Sequence, residues 1–183
     1  LSMYPSKMVI KQLKDIITKS DKQIVAIHKA IEKHLYSDCT VAEKVDKLCS
    51  IKGVGLTTIA VILSETNGFA LFENARQLIS YAGYDVTENQ SGKKTGKTRI
   101  SKKGNSRIRR ILHLPAFNMV TYSITPFVQL FNRTLQKHQI KMKSYVAIQK
   151  KLLVILYAMW KKNEGFNSQF AKEEAASPLG QAS

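Results

Sequence analysis

From Ser6 to Leu35 the chain contains neither proline nor glycine, and its apolar positions keep a strict rhythm. Ile10, Leu13, Ile17, Ser20, Ile24, Ile27, Ile31 and His34 step alternately by three and four, which is the heptad spacing of a coiled-coil seam. Lys and Asp crowd the remaining faces, and Ser20 and His34 are polar breaks in the stripe. The pattern predicts one long helix whose narrow seam pairs with another helix, so a homo-oligomer through this arm is expected. His28 and His34 fall on different faces, which argues against a metal site there.

The next constraint is charge. The chain of 183 residues has 29 Lys and Arg against 13 Asp and Glu, a formal +16. From Ser91 to Asn163 there is no acid at all, and 17 of the 29 cations lie there; the rest holds 12 basic and 13 acidic residues. One contiguous region therefore carries the whole excess. A solvated surface mixes both signs, because like charges repel, so a polyanion is the expected partner. Nucleic acid is preferred to a membrane surface, since the apolar residues here are spaced as a core. The longest apolar run, Leu152 to Trp160, is far short of the roughly 20 residues that span a bilayer. Cys39 and Cys49 are too few for a disulfide scaffold or a zinc site. No metal or cofactor site is expected in this chain. It begins Leu1-Ser2-Met3 without a signal-like segment, and the expectation is a soluble, cytosolic piece of something longer.

Further along, Thr40-Val-Ala-Glu43 matches a capping box for a short helix to about Ser50. Gly53 and Gly55 then flank one apolar residue between two short helices, bracketed by Leu48, Ile51, Val54, Ile59 and Ile62. That is the pattern of a helix-hairpin-helix, whose glycines let backbone approach a phosphate; a tight turn between core helices is the bland alternative. Asn74 to about Ala82 reads as a helix stopped by Gly83. Asp85 to Ser101 lacks a helical period and reads as an irregular loop or short β-hairpin. Asn105 is a plausible N-cap for a helix to about Tyr122, kinked at Pro115, with Lys103, Arg107 and Arg110 on one face. Thr125-Pro126 caps a helix through about Gln136, and a last helix runs from about Ser144 to Lys162. The fold class is mainly α: a long coiled-coil helix over 1–38, a helical domain with helix-hairpin-helix and basic loop over 39–163, and a frayed tail over 164–183. Within it the nucleic-acid contacts are assigned to Gly53, Gly55, Lys93, Lys94, Lys97, Arg99, Lys102, Lys103, Asn105, Arg107, Arg109 and Arg110.

These motifs stand in a telling order: Ile51-Lys-Gly-Val-Gly, Phe72-Glu-Asn-Ala-Arg-Gln-Leu, Tyr81-Ala-Gly, Gln90-Ser-Gly, Arg99-Ile-Ser-Lys-Lys-Gly-Asn, Arg109-Arg110 and Leu114-Pro-Ala. From about Lys47 to Trp160 the chain resembles the C-terminal transposase domain of the Piv/MooV-type insertion-sequence recombinases, the group guided by a bridge RNA. The resemblance implies a DNA transposase in which this part, preceded by a coiled coil, completes an active site with a RuvC-like domain. That domain would bear an Asp-Glu-Asp-Asp site for Mg²⁺, and nothing in this chain corresponds to it. It also implies DNA and guide RNA as partners, and the cytoplasm of a bacterium or archaeon, at the nucleoid, as the setting. The family's serine lies in its Ser-Gly motif, here Ser91-Gly92.

On the residues alone, Ser91 and Ser101 are equal candidates among several loop serines; only the resemblance singles out Ser91 as catalytic, leaving Ser101 a phosphate contact. A serine hydroxyl attacking a phosphodiester needs cations for the pentavalent phosphate and a base for its proton. Lys93, Lys94, Lys97, Arg99 and Lys102 supply the first, while no His or carboxylate stands between Ser91 and Arg110 to supply the second. The chain alone is therefore expected to bind DNA without cutting it. A non-catalytic helix-hairpin-helix binding module is the competing reading. A purely structural dimerisation domain would leave the acid-free stretch unexplained.

Overall fold

The computed structural model describes residues 6–87, 90–91, 94–95 and 99–167, with backbone alone at 90–91 and 94–95. Among them the chain forms eight helices and four two-residue strands. It divides into two units, Leu1–Ala42 and Glu43–Ser183.

In the first unit, helix α1 (Lys7–Leu35) runs uninterrupted over the heptad segment, as the absence of Pro and Gly predicts. Ser6 caps it, its hydroxyl accepting from the Val9 amide at 3.4 Å. No residue of α1 is buried; Leu13, Ile17, Ile24 and Ile27 each expose more than half of their surface. Helix α2 (Cys39–Cys49) begins one residue before Thr40, so the capping box is not what starts it. The cap is Asp38, whose carboxylate accepts from the Thr40 amide (2.7 Å), the Thr40 hydroxyl (2.7 Å) and the Val41 amide (3.3 Å). An anion outcompetes a hydroxyl for the positive end of a helix. The same three bonds hold the Asp38 carboxyl below its ordinary value.

The second unit is built around α8 (Lys141–Lys162), which packs against α4 (Ala75–Tyr81), α6 (His113–Thr121) and α7 (Thr125–His138); α3 (Leu56–Thr66) packs on α5 (Ser106–Ile111). Ile148, Leu152, Leu153 and Leu156 of α8 are buried, as are Leu78, Ala116, Met119 and Phe127 on the helices packed against it. Fully burying one such large side chain favours folding by about 1.5–3 kcal/mol. Phe69, fully buried, stands edge-on to Tyr157 at 5.6 Å between ring centroids. After α8, Phe166 stacks over Phe127 at 6.4 Å, so the first residues beyond the last helix return to the core; 168–183 lie outside the described residues.

Three boundaries shift from the sequence reading. The segment from Asn105 breaks at Leu112 rather than bending at Pro115. Pro115 has no amide to donate, and its ring collides with a helical carbonyl four residues back, at Ile111, where α5 ends. Thr125 is the first residue of α7 and Ile124 precedes it as cap, with Pro126 in the first turn. Helix α8 starts three residues before Ser144.

Candidate nucleic-acid interface

The basic loop rises from a tightly built stem. Two strands, β1 (Val86–Thr87) and β4 (Arg99–Ile100), pair antiparallel with Val86 opposite Ile100 and Thr87 opposite Arg99. Below them the backbone continues the pairing, Ser101 N donating to Asp85 O (2.7 Å), Lys102 N to Gly83 O (3.2 Å) and Asn105 N to Tyr81 O (2.7 Å). The two chain segments cross at glycines. A Cβ on Gly104 would collide with the Tyr81 carbonyl oxygen and stand 2.7 Å from the Gly83 amide. Gly83 itself has φ +73°, a region that other residues enter only at a cost.

Side chains then lock the crossing. Arg109 of α5 points its guanidinium inward, donating from Nη1 to Ala82 O (2.7 Å) and Asn105 O (3.3 Å), and from Nη2 to Lys102 O (3.3 Å). Asn105 caps α5, its Oδ1 accepting from the amides of Arg107 (2.9 Å) and Ile108 (3.2 Å). Its Nδ2 donates to Glu65 Oε2 (2.6 Å) and to the Tyr81 hydroxyl (3.3 Å). The other oxygen of Glu65 pairs with Arg107 Nη1 at 2.9 Å, and the Tyr81 hydroxyl donates to Glu65 O. Arg107, then Asn105, holds the Glu65 carboxyl below its ordinary value. Glu65 thus ties the last turn of α3 to the start of α5.

A polar chain, buried at Tyr84 and Gln149, anchors the stem to α8. The Tyr84 hydroxyl donates to Gln149 Oε1 at 3.0 Å, and Gln149 Nε2 stands 3.1 Å from His113 Nδ1, which then accepts. Tyr84 is fully enclosed, and burial pushes its phenol well above the ordinary value.

Of the residues assigned to nucleic acid, Asn105 and Arg109 are therefore engaged within the protein, and Arg107 shares its exposed guanidinium with Glu65. Arg99, Lys102, Lys103 and Arg110 are exposed. Lys103 lies ahead of the Asn105 cap and so is not on the α5 face with Arg107 and Arg110. The Ser101 hydroxyl accepts from Lys103 N at 3.3 Å, shaping the turn where Lys102 takes φ +54°. Above the stem, β2 (Gln90–Ser91) pairs with β3 (Lys94–Thr95), Ser91 standing opposite Lys94. Gly92, Lys93, Gly96 and Lys97 lie outside the described residues.

The two glycines between α2 and α3 have different surroundings. Gly53, at φ +95°, presses on α6: a Cβ there would lie 2.7 Å from Asn118 Cβ, and Asn118 Nδ2 donates to Gly53 O at 3.3 Å. Gly55 is exposed, precedes α3 as its N-cap, and has nothing within reach of an added Cβ. Among the described residues no three His, Cys, Asp or Glu converge as a metal donor set, and none of the helices is long and apolar enough to cross a membrane. Sequence reasoning missed Glu65, Gly104, Tyr84 and Gln149 and took Gly83 only as a helix stop; the Tyr81-Ala-Gly and Lys-Gly-Asn motifs were the available signal for the glycines.

Residues 45–131, from α2 through most of α7, match the model of the Transposase IS116/IS110/IS902 family. The chain is also similar to the pilin gene-inverting protein of Moraxella bovis, 30% identical over 164 residues, covering 87% of this chain and 48% of that protein. The pilin gene-inverting protein of Moraxella lacunata is 30% identical over 162 residues, with 87% and 48% covered. The chain thus spans about half the length of these relatives. Over residues 45–131, a little under half of its length, the chain is thus similar to the Transposase IS116/IS110/IS902 family.

Proposed function

We propose that this chain is the DNA-binding, serine-bearing part of a transposase or site-specific recombinase of the Piv/MooV type. The observation that carries the reading is the stem: the motifs around Tyr81, Arg99–Asn105 and Arg109 converge to hold one basic hairpin, with Ser91 on it. A rigid base under a cationic loop suits a loop that must keep its place against a polyanion. Arg99, Lys102, Lys103 and Arg110 then meet phosphates together with Lys93, Lys94 and Lys97, and Ser101 contributes a hydroxyl. The turn at Gly53 and Gly55 acts as a helix-hairpin-helix, with Gly55 the residue open to a phosphate.

In the reaction, Ser91 Oγ attacks the phosphorus of a diester. One P–O bond to the strand breaks as the serine–phosphate bond forms, the strand oxygen takes up a proton, and the serine proton passes to a base. The neighbouring cations stabilise the added negative charge. The Mg²⁺ implied by the resemblance belongs to a RuvC-like segment; the described residues of this chain offer no donor set for it. Guide RNA and pairing of copies through α1 complete the reading.

The test is the full-length recombinase with its guide RNA and target DNA. A covalent DNA adduct on Ser91, lost in Ser91→Ala with DNA binding retained, is the expected result. Strand exchange by Ser91→Ala would leave the second reading, a non-catalytic binding module. That reading draws on the commitment of Glu65, the carboxylate beside the stem, to Arg107 and Asn105.

A further inference from the structure

We propose that the corner between α7 and α8, through Arg133, Lys137, Lys141 and Lys143, is a second contact for the phosphate backbone of duplex DNA; this rests on the DNA-binding reading above. The corner lies just beyond the segment that matches the family. Its eleven residues, 133–143, hold four Lys or Arg, one His and no acid. Arg133, Lys137, His138 and Lys141 are exposed and Lys143 is partly so. Among the described residues no carboxylate pairs with any of the four cations.

The placement of the cations makes a purely structural role insufficient. Lys137 and His138 close α7, where positive charge suits the helix dipole. Lys141 and Lys143 do the reverse. They occupy the first turn of α8, the positive end, which has no acid and no side-chain cap. Arg133 stands more than a turn before the end of α7, too far in for the dipole to account for it. Two lysines at the unfavourable end of a helix oppose folding, and a polyanion lying across the corner turns that cost into attraction.

The corner is also firmly shaped. Gln139, at φ +55°, ends α7 with its amide on Leu135 O at 2.7 Å, while Phe127 and Phe131 fix α7 in the core. Residues 132–143 contain no Phe, Tyr or Trp. Readers of unpaired strands stack bases on such rings, so the corner suits the backbone of a duplex. Exposed Ile140 and Met142 are two side chains, short of the apolar face that a membrane-surface helix needs.

The experiment measures binding of this chain to a labelled mixed-sequence duplex DNA across a salt series, by fluorescence anisotropy. One variant carries Arg133→Gln, Lys137→Gln, Lys141→Gln and Lys143→Gln. A second alters the hairpin through Lys93→Ala, Lys94→Ala, Arg99→Ala and Lys102→Ala. Removing a cation that neutralises one phosphate lowers the slope of log affinity against log salt by about 0.9. The corner variant is expected to show a slope smaller by about 2–4, with weaker binding at every salt concentration. A third variant, Lys141→Glu with Lys143→Glu, separates DNA binding from folding: acids suit that helix end, so it should melt at a higher temperature yet bind more weakly. An unchanged slope in the corner variant, beside a reduced one in the hairpin variant, overturns the corner and leaves the DNA reading standing. A loss confined to duplex RNA, or melting temperatures that fall together with affinity, overturns it too. Absence of DNA binding by the unaltered chain removes both.

Discussion

Arg109 and Arg110 are neighbours in sequence, yet the structure turns the first inward and leaves the second exposed, and a pair of substitutions tests what each does. Arg109→Met keeps an unbranched apolar stem and removes the fork that holds Ala82 O at 2.7 Å and the carbonyls of Asn105 and Lys102 at 3.3 Å. A hydrogen bond from a charged donor is worth about 1.5–3 kcal/mol. One short bond into a fully buried residue and two longer ones therefore put the loss at about 2–4 kcal/mol. Arg110→Met removes an exposed side chain, and its effect on stability should stay within about 0.5 kcal/mol. Binding should invert the order. At a salt concentration where both variants are folded, Arg110→Met lowers the salt slope for duplex DNA by about 0.9, while Arg109→Met leaves it nearly unchanged. Urea unfolding supplies the first quantity and anisotropy titrations the second. If Arg109→Met proved as stable as the unaltered chain and lowered the slope as much as Arg110→Met, the inward clamp would be refuted.

Tyr84→Phe should destabilise the chain by about 1–3 kcal/mol, because Gln149 Oε1 is left buried without a donor; adding Gln149→Leu should recover part of that, and no recovery in thermal melts would contradict it. Glu65, whose folded pKa is lowered, contributes stability present above its unfolded pKa and lost as pH falls through the folded value. Stability against pH should therefore drop less steeply on the acid side for Glu65→Gln, and superimposable profiles would dismiss the link between α3 and α5. The exposed seam of α1 predicts a concentration-dependent oligomer that Ile24→Asp with Ile31→Asp reduces to folded monomers; sedimentation showing a monomeric unaltered chain would end that expectation.

How much of this was legible in advance follows from the range of each interaction. Ser6, Asn74 and Asn105 act as caps because their partners lie two or three residues away, within reach of a local pattern. Where two caps compete at close spacing the pattern misleads, as when Asp38 displaces Thr40. The break at Leu112 follows from Pro115 once the clash is counted four residues back. The stem is a different matter. Arg109 reaches Ala82 across 27 positions and Asn105 reaches Glu65 across 40. Composition identified the region as basic, but only the folded chain tells which cations are turned inward.

That separation bears on how the hairpin can work. A cation that binds phosphate must keep its donors unsatisfied by the protein, whereas a cation that shapes the loop must have them satisfied. Arg109 donates to three carbonyls, and Arg107 holds one carboxylate with most of its side chain exposed. Arg99, Lys102, Lys103 and Arg110 remain turned to solvent. The gradation runs from fixed to available over α5 and the strand before it. Arg107 sits at the changeover, because the Glu65 carboxylate that holds it leaves guanidinium donors free. A phosphate arriving beside Arg107 would thus meet a side chain already oriented by Glu65, with less rotational freedom left to lose than a free arginine has.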